Sequence, residues 1–149
     1  MPKVDLDSIE PTNATGYPPP FDQEVRGRWY QRIGPVGGLT DFGVSRVRLE
    51  PGAWSSQRHW HESEDEFLVM LEGEAVLVED DGRTLLKAGD CAAWPKGSTN
   101  GHHLRNESER DCMFICIGGG SRTGGAYSDI DMTFGAEAGQ YFHKDGTPY

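Results

Sequence analysis

The chain has 149 residues, with 14 lysines and arginines against 24 aspartates and glutamates and a formal net charge of -10. That size suits one domain with one core, and the acidic balance excludes nucleic acid and an anionic membrane as partners, because both need a basic face to displace counterions. Twenty glycines and nine prolines in so short a chain imply many turns and favour an all-β fold over a helical bundle.

Residues 1–27 have little period and contain Gly16-Tyr17-Pro18-Pro19-Pro20-Phe21, which predicts an extended arm rather than a packed element. Met1–Glu10 carries acids and no apolar segment, so it does not read as a secretory leader. No apolar run approaches transmembrane length. The three cysteines, Cys91, Cys112 and Cys116, are odd in number, and a reducing, cytoplasmic location is expected. Cys112 and Cys116 share a strand face and are expected to pack as small hydrophobes.

From Arg28 the chain changes character. Residues 28–34 predict a strand and Pro35–Gly38 a turn. Residues 41–49 alternate, with Ser45, Val47 and Leu49 on one face and Phe42, Val44, Arg46 and Arg48 on the other. Residues 66–71 are apolar throughout after Glu66, which predicts a strand buried on both sides with Phe67, Leu68, Val69, Met70 and Leu71 in the core. A strand at Ala75–Asp80 and a tight turn around Asp81-Gly82 follow. Further strands are expected at residues 84–90, at residues 91–94 before a Pro/Gly loop, and at residues 112–120 as the last core strand. The tail from Ser121 to Tyr149 is mixed and polar. Short strands joined by Gly, Pro and Asp turns imply a closed double-sheet barrel or sandwich, and closure removes exposed edges.

The chemistry concentrates in two places. His59 and His61 stand two apart, so a strand presents both rings on one face, with Gln57 on the same side and Arg58 and Trp60 opposite. Glu66 opens the next strand, and His102 and His103 lie far downstream, before Asn106. A barrel can bring these strands together, and three imidazoles with one carboxylate then converge around one divalent metal. This donor set suits Fe(II), Mn(II), Ni(II), Co(II) or Zn(II) better than calcium or magnesium. Glu62, Glu64 and Asp65 are expected to be solvated rather than ligating. Asn106 is expected to tie a turn through its side chain.

These residues carry a resemblance. Gly52, His59, Trp60, His61, Glu66 and Gly73 resemble the first motif of the cupin family: four residues separate His61 from Glu66 and six separate Glu66 from Gly73. The stretch from Gly52 to His59 is one residue longer than the family pattern. Gly89, Pro95, Lys96, Gly97, His102 and Asn106 resemble the second motif, with five residues between Gly89 and Pro95 and three between His102 and Asn106. The stretch from Gly97 to His102 is two residues longer than usual, so His102 is assigned as fourth ligand through its spacing to Asn106, with His103 as the alternative.

The resemblance implies a double-stranded β-helix, the jelly-roll barrel of the cupins, over residues 28–118. The arm precedes it, and the tail, residues 119–149, packs on the barrel or on a partner subunit. It implies a metal in the barrel mouth held by His59, His61, Glu66 and His102, and a homodimer. Small bacterial single-domain cupins, some labelled sugar-phosphate isomerases, are the most similar group. Gln57, Arg46, Arg48, Tyr30 and Trp94 are candidate liners of a pocket for a small-molecule ligand or substrate, and an inward arginine holds a phosphate or carboxylate through a bidentate pair. The implied function is that of a metal-binding cupin, as an isomerase, dioxygenase or lyase acting on a small polar organic acid or sugar derivative. A non-enzymatic binder or sensor and a metal-free structural cupin are the alternatives. No separate acid/base pair stands out, so no residue is assigned as catalytic beyond the ligand set.

Overall fold

The computed structural model describes residues 3–149; Met1 and Pro2, which the arm and leader readings include, lie outside the described residues. Twelve strands run in the order β1 (Arg28–Arg32), β2 (Phe42–Leu49), β3 (His59–His61), β4 (Glu64–Glu72), β5 (Glu74–Glu79), β6 (Gly82–Lys87), β7 (Cys91–Trp94), β8 (His103–Arg105), β9 (Cys112–Gly120), β10 (Gly125–Tyr127), β11 (Thr133–Phe134) and β12 (Tyr141–Phe142). The strand expected over residues 28–34 stops at Arg32, where one helical turn, α1 (Ile33–Val36), begins.

One wall is a five-stranded sheet in the order β1-β2-β9-β4-β7. The other consists of β12-β11-β10-β3 and β6-β5-β8, joined where His59 bridges His102. Every strand pair is antiparallel. The result is an all-β jelly-roll barrel. Val47, Leu49, Leu68, Met70 and Phe114 from the first wall meet Ala75, Leu77, Leu86 and Leu104 from the second in one core. Removing a leucine-sized side chain from water contributes about 1.5–3 kcal/mol, so this cluster fixes which face of each strand turns inward.

The register then decides the site. Ser45, Val47 and Leu49 point inward, opposite Arg32, Tyr30 and Arg28 on β1. On β4 and its neighbours, Glu66 pairs with Trp94 and with Gly118, so the carboxylate and the indole lie on the inner face at one end of the barrel.

β4 is not buried on both sides. Leu68 and Met70 are core, but Phe67 is 39% and Leu71 42% exposed. The second sheet covers only the inner face of β4, and Leu71 sits at a register shift between Met70 and Glu72. A continuous apolar run therefore misreads a strand with one covered face. The turn after it uses Gly73 at φ +69, where an added Cβ would lie 2.8 Å from the Asp111 carbonyl oxygen. Asn106, fully buried, ties its turn as expected: Nδ2 donates to Leu49 O and Arg110 O, and Oδ1 accepts from Ser108 N and Oγ.

The arm is packed, contrary to expectation. Thr12 and Tyr30 exchange backbone hydrogen bonds, adding a bridge to the edge of β1. Gln31 Nε2 donates to Leu6 O and Ile9 O, and Val25 is fully buried. β9 is the last strand to enter the core cluster, and the tail beyond it forms further strands. β10 pairs with β3, setting Gly125 opposite His61 and Tyr127 opposite His59. Arg58, on the outer side of β3, fastens this layer. It makes a two-pronged pair with Asp129 and also contacts Asp80 and the Gly101 carbonyl.

Candidate metal centre

β3 presents His59 and His61 toward the inner end of β4, where Glu66 stands, and the bridge from His59 to His102 brings in the third imidazole. His59 Nε2 lies 3.1 Å from His61 Nε2. Glu66 Oε2 lies 3.3 Å from His61 Nε2 and 3.1 Å from His102 Nε2. Ligand atoms of His59, His61 and Glu66 all fall within 4.8 Å of one another. Cis ligands at about 2.1 Å from a transition metal stand about 3.0 Å apart, so the donor spacing and the imidazole–carboxylate chemistry both fit such an ion.

The surroundings orient each donor. His59 Nδ1 lies 3.0 Å from the Gln57 carbonyl oxygen, to which it donates, leaving Nε2 with a free lone pair. His102 is stacked on Trp94 with ring centroids 3.8 Å apart and planes 8° from parallel. Trp94 is itself held by a hydrogen bond from Nε1 to Glu79 Oε1. The Cys116 thiol donates to Glu66 Oε1 at 3.0 Å, so Cys116 lies at the site and is not only a small hydrophobe. Glu64, expected to be solvated, is half-buried, and its Oε2 lies 3.3 Å from His61 Nδ1. Glu62 is exposed, and Asp65 caps the Lys96 backbone N–H.

The charges follow. Burial pushes His59 down to about 3, against the pull of Glu66, so this ring is neutral. Burial also disfavours a charged His61, but the Glu64 and Glu66 carboxylates outweigh it and raise the ring to about 9. Burial opposes ionisation of Glu66, yet His102 and His61 hold its carboxyl well below the usual range. Burial, then the Glu66 charge, push the Cys116 thiol well up.

His103 is turned elsewhere. Its Nδ1 donates to Ser56 O at 2.8 Å and its Nε2 accepts from Arg105 Nε at 2.9 Å. The structure thus brings His102, not His103, to the Glu66 carboxylate.

The centre opens into a cavity of about 580 Å³. Tyr30 and Trp94 line it, as the sequence suggests, but Gln57, Arg46 and Arg48 do not. Gln57 is buried against the arm, donating to Phe21 O and Glu24. Arg46 bonds Gln31 on the outer face, and Arg48 pairs with Asp111 and Glu50. Both arginines belong to the face of β2 opposite Val47, so an inward role contradicts the strand's own alternation. The arginines that do line the cavity are Arg28 and Arg32. They share the face of Tyr30 on β1, and period-two spacing from Tyr30 was the signal that could have found them. The arm and tail contribute Tyr17 and Tyr141 to the same wall, and no local pattern announces these. Tyr17 packs edge-on to Tyr127, and Phe134 of β11 lies 5.4 Å from the His61 ring.

A cupin-domain family profile matches residues 45–118. A crystal structure from Silicibacter pomeroyi, described as a sugar phosphate isomerase of the cupin superfamily, is 44% identical, with 99% of this chain and 96% of that one covered at a TM-score of 0.93. The polyketide cyclase RemF from Streptomyces resistomycificus shares the fold at 18% identity, 87% coverage of each chain and a TM-score of 0.70. A Cupin 2 conserved barrel domain protein from Salinispora arenicola is 22% identical over 79% of this chain and 86% of that one, with a TM-score of 0.57. No curated protein sequence matches the chain. Among the described residues no helix is long and apolar enough to cross a membrane. With two ordered motifs, the jelly-roll topology and near-complete coverage of a relative of known family, the chain belongs to the cupin superfamily.

Proposed function

We propose that the protein is a metal-dependent cupin isomerase acting on a small hydroxylated carbonyl compound of the sugar-derivative class. The observation that carries this is the cluster of His59, His61 and Glu66, with His102 3.1 Å from Glu66 Oε2, beside a 580 Å³ cavity that His59, Glu66 and His102 line. The 44% identity to the Silicibacter protein described as a sugar phosphate isomerase supports the reaction class. The cavity volume falls within the range of small-molecule sites.

His59, His61, His102 and Glu66 would hold one divalent transition metal, which when bound supplies Lewis acidity toward substrate carbonyl and hydroxyl oxygens. The lining residues do the rest. Burial keeps the Tyr17 hydroxyl protonated, with its pKa pushed up to about 12, so it serves as a donor. Glu66 is the only carboxylate among the described lining residues. Its Oε2 faces the imidazoles, while Oε1 is held by Cys116. Oε1 keeps a second lone pair beside the Cys116 hydrogen bond, and that lone pair would take a proton from the carbon beside a carbonyl and return it to the neighbouring carbon. Arm and tail residues cover the cavity and limit water around the proton in transit.

The test is metal analysis of untagged protein, followed by a panel of small aldoses and ketoses, free and phosphorylated, in heavy water. About one transition metal per chain and deuterium at the carbon beside the carbonyl are expected. Metal-loaded protein that exchanges no proton in any member of the panel refutes the isomerase; wild-type protein with no affinity for transition metals refutes the centre itself.

A further inference from the structure

The cavity contains two cations that the metal centre does not use. Arg28 and Arg32 both line it, on either side of Tyr30, with guanidinium carbons 5.3 and 5.6 Å from the ring centroid. Among the described residues neither forms an ion pair with a carboxylate. Among the described residues Arg26, Arg48, Arg58, Arg83 and Arg122 are paired with acids, and of the arginines that are not, Arg28 and Arg32 are the two that line the cavity.

Arg28 is also held in place. Its Nη1 donates to Ser55 O at 2.9 Å and its Nη2 to Ala14 O at 3.4 Å, fixing the guanidinium between the arm and the loop before β3. Its Nε is buried and has no hydrogen-bond partner. The anchored guanidinium thus keeps hydrogen-bonding capacity that no protein group takes up. Ser45 lies directly across from Arg32 and lines the same cavity, adding a hydroxyl. The one carboxylate among the described lining residues, Glu66, turns Oε2 to the imidazoles and Oε1 to Cys116 and pairs with neither arginine.

We infer that Arg28 and Arg32 form an anion subsite that selects a phosphate monoester, so that the ligand spans from this dianion site to the His/Glu centre. Two guanidiniums match a dianion better than a monocarboxylate, and the planar fork suits phosphate oxygens. The substrate class narrows from hydroxylated carbonyl compounds to phosphorylated ones. This narrowing rests on the isomerase reading for the far end of the ligand, whereas the anion subsite stands on its own residues.

The experiment is calorimetric titration of metal-free full-length protein with inorganic phosphate and, separately, with acetate. Wild type, Arg28→Gln, Arg32→Gln and His61→Ala are compared, each checked for an intact melting transition. Wild type should bind phosphate, and His61→Ala, which removes the imidazolium of the metal-free centre, should weaken that binding less than either arginine variant does. Each arginine variant should bind about tenfold or more weakly, the loss expected for a hydrogen bond to a charged group. Arg32 is exposed and makes no anchoring bond to the arm, so Arg32→Gln decides the matter if Arg28→Gln does not fold. Phosphate binding that disappears in His61→Ala but survives in Arg32→Gln places the anion at the metal centre and overturns the subsite. Acetate binding as tight as phosphate overturns the dianion selectivity, and no phosphate binding by wild type overturns both. None of these outcomes alters metal content, which is measured separately and tests the centre alone.

Discussion

Metal binding at this centre should compete with the proton on His61. His61 is raised to about 9 by the Glu64 and Glu66 carboxylates, so below that pH the free protein carries an imidazolium where a ligand lone pair is needed. His59, pushed down to about 3, has no proton to lose, and Glu66 is already ionised. Each pH unit below the His61 pKa therefore costs about 1.4 kcal/mol, a tenfold drop in apparent affinity. At pH 7 the penalty is about 2.7 kcal/mol relative to the plateau above 9, roughly a hundredfold. The sign is fixed: affinity rises with pH up to about 9 and then levels off. Titration calorimetry with Co²⁺ in two buffers of different ionisation heat, near pH 7, should show about one proton released per ion. Glu64→Gln removes one carboxylate holding that proton, so the plateau should begin at lower pH. The plateau itself should sit about tenfold lower, because Glu64 also supports the ligating ring. Affinity that stays flat between about pH 6 and 9, with no buffer-dependent heat, would refute the charged His61 and the reasoning built on it.

Other perturbations probe the supports of the site. Cys116→Val removes the thiol that donates to Glu66 Oε1; metal affinity should fall about tenfold with the melting temperature little changed, while Cys116→Ser keeps it, and equal affinity in all three proteins would remove Cys116 from the site. Arg58→Met breaks the two-pronged pair that pins the tail to β3. Because both partner carboxylates are half exposed, the loss is set at about 1–2 kcal/mol, a melting shift of about 2–8 °C, and an unchanged melt would show that the tail is held by apolar packing alone. Asn106→Leu leaves two carbonyls and the Ser108 N–H without their buried partner; urea unfolding should show a loss of about 3–5 kcal/mol, and a loss under about 1 kcal/mol would contradict the role given to this turn.

The fold class, the family and the clustering of the histidines with Glu66 were legible in the sequence because each rests on local spacing. Two histidines two apart share a strand face whatever the fold. The glycines at fixed distances mark turns, and Gly52, Gly73, Gly89 and Gly97 all adopt positive φ. Spacing to Asn106 singled out His102, and it is His102 that reaches Glu66.

What failed locally failed for one reason: burial is decided by which layer covers which face. The run from Phe67 to Leu71 has no alternation, so nothing in it shows that only Leu68 and Met70 are covered. Gln57 has the parity of His59 and His61, but it precedes β3, and its side chain is drawn away to the arm. The arm looks unpacked, and the tail's packing site is unreadable, because their apolar residues are spaced for other elements, not for one another. Tyr17, Tyr127 and Tyr141 lie more than a hundred residues apart at the extremes, yet pack ring to ring beside the histidines. The sequence by itself determined a cupin barrel and the spacing that gathers His59, His61 and Glu66 in one cluster. Only the tertiary structure decided which arginines face the cavity, because a strand's period sets two alternative faces and the closing of the barrel chooses between them.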